Sequence, residues 1–506
     1  MAHDRMENHD SVAQVARAPI AGSVREDGAR HMWVERADDG PPTLAVAAVR
    51  SDDLAPFRGA VAEQSGLHVL RGALEGANVA ALRSSLANLR PVPLGAATSA
   101  GFGDRLGLAT PGHVEALRAC GAEGRVRAIF AQQSVRENAR TGRTPLEVLD
   151  DATVGAFVAG WTGDVGADAD HLKNTADVDA FLAAGYSLFT IDPGEHVHDD
   201  ADSLGPAALG SAYAERVPWP DLDSDPNDLR ARLGAWSLDL GDRALGFAAG
   251  ELERAAVKYG GAIAHVARMA RHLRAQAGPE RAEIEVSVDE TDTPTTLAEH
   301  AYLALELRRL GVDWVSLAPR FVGAFEKGVD YLGDLGALAR DLRGHARVAA
   351  ALGPYKLSLH SGSDKFAVYP IAAEATAGAV HLKTAGTSYL EALRVAGRHD
   401  PDLLHDVVRL GLERFAEDVH SYHVSGRPER MPDLAALPGS AALALLEQAD
   451  ARQVLHVTFG SALRRYGERL RSLIRAHPDD YRAALRRHFE RHLAPFVASA
   501  RTGGAA

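Results

Sequence analysis

The sequence predicts an α/β fold: a (β/α)8 TIM-like barrel with an N-terminal extension, an insertion after the fourth strand and a helical C-terminal region. Three observations carry this. Between residues 91 and 400, eight short apolar runs recur, and each closes in a cluster of polar residues. Helix-start signals fall between the runs, and strand then helix, repeated, is the pattern of a parallel sheet. The chain is long enough to bury a large core: 506 residues, 46% hydrophobic and 24% charged. That balance excludes a mainly disordered protein.

Residues 1–90 carry no chemical motif. They hold a strand-like run, Pro42 to Val49, and a helical stretch, Asn78 to Leu89, and are read as an accessory segment. The first barrel run is Val92 to Ala97, leading into Gly101-Phe-Gly-Asp-Arg105. Thr110-Pro111 then places an N-cap before a Pro at the first helical position. The second run, Val126 to Ala131, closes in Gln132 to Asn138, and Thr144 to Glu147 reads as a capping box. The third, Gly163 to Ala167, is less apolar and closes in Asp168-Ala-Asp-His-Leu-Lys173. The fourth, Tyr186 to Ile191, closes in Asp192 to His196.

Residues 194–283 then interrupt the rhythm with an acidic, Pro-containing loop (Asp199 to Asp228) and two helical runs, which reads as the insertion. The fifth run, Ile284 to Val288, closes in Asp289 to Asp292, and the sixth, Trp314 to Ala318, in Pro319-Arg320. The seventh, Tyr355 to Leu359, closes in His360 to Lys365, and the eighth, Ala379 to Leu382, in Lys383 to Thr387. Thr296 to Glu299 and Ser388 to Glu391 repeat the S/T-x-x-E spacing of a helix start. After residue 400 the chain reads as helical to about 492. Arg and His are frequent over 462–492, but interspersed Asp and Glu favour a solvated helix face. The domains expected are therefore 1–90, the barrel over 91–400, and a helical region over 401–506.

A net charge of −13 argues against nucleic-acid binding by bulk charge. Cys120 is the sole cysteine and excludes an intrachain disulfide or a Cys-based zinc cluster; its apolar neighbours place it in a core. Met1 to Val12 is polar, and no run of 18 apolar residues occurs. The expectation is a cytoplasmic protein with a small-molecule substrate and neither nucleic acid nor membrane as partner. A homo-oligomer is compatible with the sequence. The stretch Gly101 to Gly107 lacks the spacing of a nucleotide fingerprint, and no P-loop, G-x-S-x-G or H-E-x-x-H motif is present.

Chemistry on such a barrel belongs where strands end and loops begin. Asp168, Asp170, His171, Asp289, Glu290, His360 and His381 stand at those places. Carboxylate oxygens with imidazole nitrogens suit a divalent zinc, nickel or manganese ion. Three such groups packed within 168–171 repel one another unless a cation or hydrogen bonds compensate. Arg105, Arg136, Lys173, Arg320, Lys365 and Lys383 also lie at strand ends, where converging cations favour a carboxylate or phosphate. Glu137 and Asp289 occupy separate strand ends, an arrangement that suits acid–base work on two faces of a substrate.

Taken together, seven segments resemble the tagaturonate/fructuronate epimerases, bacterial enzymes of hexuronate breakdown. They are Gly103 to His113, Gln132 to Arg143, Gly166 to Lys173, Val288 to Thr296, Leu317 to Val322, Lys356 to Lys365 and Lys383 to Ala392. The likeness runs from about 91 to about 425. It implies a divalent-metal-dependent barrel enzyme that interconverts D-tagaturonate and D-fructuronate at C4 by retro-aldol cleavage, rotation and re-addition. With it come role assignments by position and residue type. The metal ligands would be Asp168, His171, His360 and His381, and the acid–base pair Glu137 and Asp289. Arg105, Gln133, Arg136, Arg320, Lys365 and Lys383 would bind substrate. The same barrel chemistry would also serve a neutral ketose such as tagatose or fructose, an aldolase, or a C3-epimerase. A sugar-acid-binding protein without turnover is the non-enzymatic alternative, disfavoured because Glu137, Asp289 and the histidines are all present.

Overall fold

A computed structural model describes residues 14–20, 22–36, 41–432 and 439–500; the polar N-terminal stretch lies outside them. The chain opens with five antiparallel strands: β1 (Arg25–Glu26), β2 (Arg30–Glu35), β3 (Thr43–Ala48), β4 (Ala60–Gln64) and β5 (Leu67–Ala73). They lie in the order β1-β2-β3-β5-β4. Both faces of this sheet are apolar at period two. Met32, Val34, Leu44, Val46 and Leu70 join the main core, and Trp33, Ala45, Ala47 and Val69 close over Val15 on the other side. The helical stretch read from the sequence is a helix over Ala77–Ser85 followed by a short turn over Ala87–Leu89.

The barrel is closed, parallel and eight-stranded. Its first four strands are β6 (Ser99–Gly101), β7 (Arg127–Ser134), β8 (Val165–Leu172) and β9 (Leu188–Ile191). A small hairpin, β10 (Ser237–Asp239) and β11 (Ala244–Gly246), lies in the insertion. The ring continues through β12 (Glu283–Val288), β13 (Ser316–Pro319), β14 (Lys356–Leu359) and β15 (Val380–Lys383). It closes where His381 pairs with Ser99. The base is sealed by polar groups: Glu283 accepts from the Leu94 and Gly95 amides, and Lys356 Nζ donates to Gly95 O, Ala97 O and Ser99 Oγ.

The expectations at one strand and two helix starts need correction. The first strand is not 92–97 but Ser99–Gly101; Pro91 and Pro93 lack the N–H donors a ladder requires, and the segment makes only a bridge to Val165. The boxes at Thr144 and Thr296 form, but the N-cap expected at Thr110 and the helix start expected at Ser388 do not. Thr110 is the first helical residue, and the preceding turn is capped by Asp104, which accepts from the Leu106, Gly107 and Ala109 amides. Ser388 lies inside a helix that starts after Gly386 (φ +98°), and its hydroxyl donates to Gly103 O.

The helix Glu251–Gln276 packs beside Leu297–Arg309 as part of the barrel's outer ring, so the inserted structure ends near residue 250. Lys258, fully buried on that helix, anchors the insertion through Asp202 (2.8 Å) and reaches Glu299 (3.3 Å) on the ring. The C-terminal helices fold back over the barrel. Pro478–Val497 packs on Thr110–Ala119, where Phe489 meets Phe102 and His113. Ala449–Val457 and Phe459–Ala476 reach the barrel mouth. Among the described residues no helix is long and apolar enough to cross a membrane.

Candidate active site

The site begins with a fault in β8. Along a strand, side chains alternate between faces, so Asp168 and Asp170 point inward and residue 171 should point out. Instead His171 takes a left-handed φ of +54°, and the pairing with β9 slips between Ala169 and Leu172. The bulge turns both Asp170 and His171 toward the mouth, a recognised use of strand irregularity beside functional groups.

His171 Nδ1 lies 3.1 Å from Asp192 Oδ2, and its Nε2 lies 3.9 Å from Asp170 Oδ1. The His360 ring meets it edge-on, centroids 5.1 Å apart. His360 Nε2 is 2.6 Å from Glu285 Oε1, and Nδ1 is 3.1 Å from Asp289 Oδ1. Asp170, His171 and His360 each offer a ligand atom within 4.8 Å of the others. His171, Asp192 and Glu290 form an overlapping group.

Burial lowers the His171 pKa, but the Asp170 and Asp192 carboxylates outweigh it and raise the pKa to about 10. Burial opposes Asp289 in the same way at His360, whose pKa rises to about 9. Asp170, Asp192, Glu285 and Asp289 thus favour the protonated form of both imidazoles. A divalent cation satisfies the same carboxylates, and each histidine is already backed by an acidic partner, as metal-bound imidazoles usually are. The residues fit the ion.

The sequence-derived ligand set, however, is split by Lys383. Its ammonium sits 2.9 Å from Asp168, 2.6 Å from Asp170 and 2.8 Å from Glu285, and donates to Thr190 Oγ1. Burial disfavours that charge, but the three carboxylates hold its pKa well above the usual range. Asp168 and His381 lie in the layer below, His381 Nδ1 2.9 Å from Ser99 Oγ and Nε2 3.8 Å from Asp168 Oδ2. Both precede an inward residue of the upper layer by two positions, the strand repeat, so chain proximity alone does not assign a layer. Lys383 likewise has no free donor to offer a substrate.

Other expected roles shift for equally local reasons. Glu137 forms a capping box with Ser134 and an ion pair of 2.7 Å with Arg105. Burial pushes its carboxyl up, but Arg105 holds it below the usual range. The Arg105 guanidinium stacks 3.6 Å over Phe459 and meets His456 Nε2 at 3.2 Å. Neither residue lines the cavity at the mouth. Gln133 points away from the barrel interior to Thr141 and Arg143; its neighbour Gln132 is the inward residue and donates to Asp170 Oδ2 at 3.1 Å. Lys365 is buried with its ammonium on the carbonyls of Glu326, Val329 and Ser363.

The mouth holds a cavity of about 280 Å³ lined by Arg136, Asp289, Arg320, Phe325, Lys327 and His360, among others. A second space of about 480 Å³, reaching His171 and Lys173, adjoins it across Arg136 and Glu290, whose charges lie 3.8 Å apart. Asp289 therefore sits between the metal-type cluster and open volume. Burial raises its carboxyl, while His360 and the Ser287 hydroxyl together hold it far below the usual range.

Sequence reasoning named Asp170 among the metal-type residues but left it out of the ligand set, gave Asp192 no role, and passed over Glu285 and Lys327. Glu285 did carry a signal: Glu283, Glu285 and Ser287 alternate with Ile284, Val286 and Val288, marking a polar inner face. Lys327 lies in an irregular loop and carried none.

A family model described as tagaturonate epimerase matches residues 37–496. The chain is 39% identical over 473 residues to a tagaturonate/fructuronate epimerase from Thermotoga maritima, covering 93% of this chain and 95% of that one. It is similar to the native crystal structure of a fructuronate-tagaturonate epimerase from Cohnella laeviribosi, with a TM-score of 0.87 at 32% identity over 97% of this chain and 99% of that one. A glycerol-complexed structure of the Cohnella protein matches equally, at TM-score 0.87 and 32% identity over 98% and 99%.

Proposed function

The chain belongs to the tagaturonate epimerase family, and from this we infer that it interconverts D-tagaturonate and D-fructuronate at C4. The single observation that supports a chemical reading is the position of Asp289, which lines the mouth cavity while touching His360.

The two sugars are 2-ketoses, and C4 is not adjacent to the ketone, so enolisation alone cannot invert it. Breaking the C3–C4 bond can. Asp170, His171 and His360 would hold a divalent zinc, manganese or nickel ion, which when bound supplies Lewis-acid polarisation of the C2 ketone. Asp289 takes the proton from the C4 hydroxyl. The C3–C4 electron pair then moves toward C2, leaving an enediolate and a three-carbon aldehyde acid. The aldehyde turns, C3 adds to its other face, and Asp289 returns the proton to the new C4 oxygen. Asp192 fixes the His171 ring, and Glu285 braces His360 from below. Glu137 acts indirectly, by fixing Arg105 against the C-terminal helices. The protein is read as a cytoplasmic enzyme with a small-molecule substrate.

Proton NMR of the purified enzyme with D-tagaturonate tests this, before and after chelation and with Zn²⁺, Mn²⁺ or Ni²⁺ restored. Metal-dependent appearance of D-fructuronate is expected. Turnover of D-tagatose or D-fructose in its place would move the substrate, and silence with all of them would refute the reading.

A further inference from the structure

The loop that follows β13 carries a lysine whose backbone is held with unusual completeness. Four consecutive carbonyls, 326 to 329, each accept a side-chain hydrogen bond. Lys365 Nζ donates to Glu326 O (2.7 Å) and Val329 O (2.5 Å), Gln453 Nε2 to Lys327 O (3.3 Å), and Arg452 Nε to Gly328 O (2.6 Å). The Glu326 carboxylate is held too, by the Ser425 amide and hydroxyl and by Gln453. Three separate parts of the chain, at Lys365, at Ser425 and at Arg452 with Gln453, thus converge to fix one loop.

The side chain at the centre is left over. Lys327 lines the mouth cavity with Asp289 and His360, yet its ammonium enters no ion pair and donates no hydrogen bond among the described residues. Its acidic neighbours are Glu137, Asp170 and Glu290. Each already has a cation: Arg105 at 2.7 Å, Lys383 at 2.6 Å and Arg136 at 3.8 Å. Arg320 lines the same wall, its backbone fixed by reciprocal bonds with Thr295 and its guanidinium outside any ion pair among the described residues. An immobilised loop that aims a lysine without a direct partner into a cavity is a preorganised anion site.

We propose that Lys327, with Arg320 beside it, binds the terminal carboxylate of the substrate and makes the enzyme specific for a sugar acid over a neutral ketose. This deepens the epimerase reading and rests on it for the identity of the acid. The cavity carries both kinds of group that such a molecule needs. Arg320 and Lys327 come from β13 and its loop, and the carboxylate–imidazole cluster from β8, β12 and β14. One end of the substrate would meet each. The carboxylate is on the three-carbon fragment, so the same contact would retain that fragment while its aldehyde turns.

The test uses Lys327→Met and Lys327→Arg in the full-length enzyme. Calorimetry with D-galactonate, a six-carbon acid without a ketone, reads binding apart from turnover. Lys327→Met should weaken it about 10- to 100-fold, the worth of one charge-assisted hydrogen bond, and Lys327→Arg should restore most of it. The preference for D-tagaturonate over D-tagatose, as a ratio of kcat/KM, should fall by a similar factor, carried by KM. A proton-transfer role would instead lower kcat and resist rescue by arginine. Equal D-galactonate affinity in wild type and a folded Lys327→Met, or no affinity in wild type, overturns the proposal. Affinity that falls in Lys327→Met while the wild type leaves D-tagaturonate unchanged would keep the carboxylate site and remove the epimerase reading.

Discussion

Asp192 grips His171 through Nδ1, at 3.1 Å, and so decides that Nε2 is the nitrogen facing Asp170. A buried carboxylate behind an imidazole fixes both tautomer and ring angle. The His360 ring packs edge-on against the same imidazole, so Asp192 is its hydrogen-bonded anchor. Asp192→Ala should therefore lower metal affinity about 10- to 100-fold while leaving the fold intact. Metal content after dialysis against graded chelator measures this, and an unchanged content would detach Asp192 from the site.

Asp289→Asn keeps the shape of the side chain but removes the base. Loss of one general base costs about 10²- to 10⁴-fold in rate. The expected result is a fall of that size in kcat with bound metal retained. A variant with wild-type kcat would take Asp289 out of the reaction.

The metal-free enzyme should lose stability as pH rises. His171 and His360 titrate at about 10 and about 9 when folded, against roughly 6.5 unfolded. Raised values mean that protonation favours the folded state. The contribution is complete below pH ~6.5 and disappears as pH climbs through about 9 to 10. Melting temperatures of chelated protein should drop across that window. Zn²⁺ affinity should move the opposite way, because the ion displaces the same protons. A chelated enzyme equally stable at pH 6.5 and 10 would contradict the assignment.

Lys383→Met should be severe. It leaves Asp168, Asp170 and Glu285 buried without their shared cation, and breaking a buried pair costs about 3–5 kcal/mol. Denaturant unfolding of the variant should show a loss of at least that order. A near-neutral result would mean that the carboxylates find protons or water at small cost.

Much of the architecture could be read from the chain because barrel strands are short, apolar and closed by polar residues. Seven of the eight were found, each starting within about three residues of its expected start, and the first was placed too early, on 92–97 instead of Ser99–Gly101. Layers were harder. Asp168 and Asp170 differ by one strand repeat, and Gln132 and Gln133 by half of one, so the inward residue depends on where β8 bulges and where β7 begins. Ion pairing was harder still. Lys365 sits in a charged run after a strand and looks available, yet three carbonyls claim it. Lys327 gains its meaning from Arg452 and Gln453, more than a hundred positions away, and no local pattern announces such a contact.

That long-range grip also orders events in time. On the ribosome, every barrel strand is made before Arg452 and Gln453 appear, so a nascent chain can close its barrel while the 326–329 loop still lacks half of its holders. Catalytic competence would then arrive as a late step of synthesis, with the C-terminal helices that complete both core and entrance. A chain stopped short of residue 452 would lack two of the groups that hold its entrance.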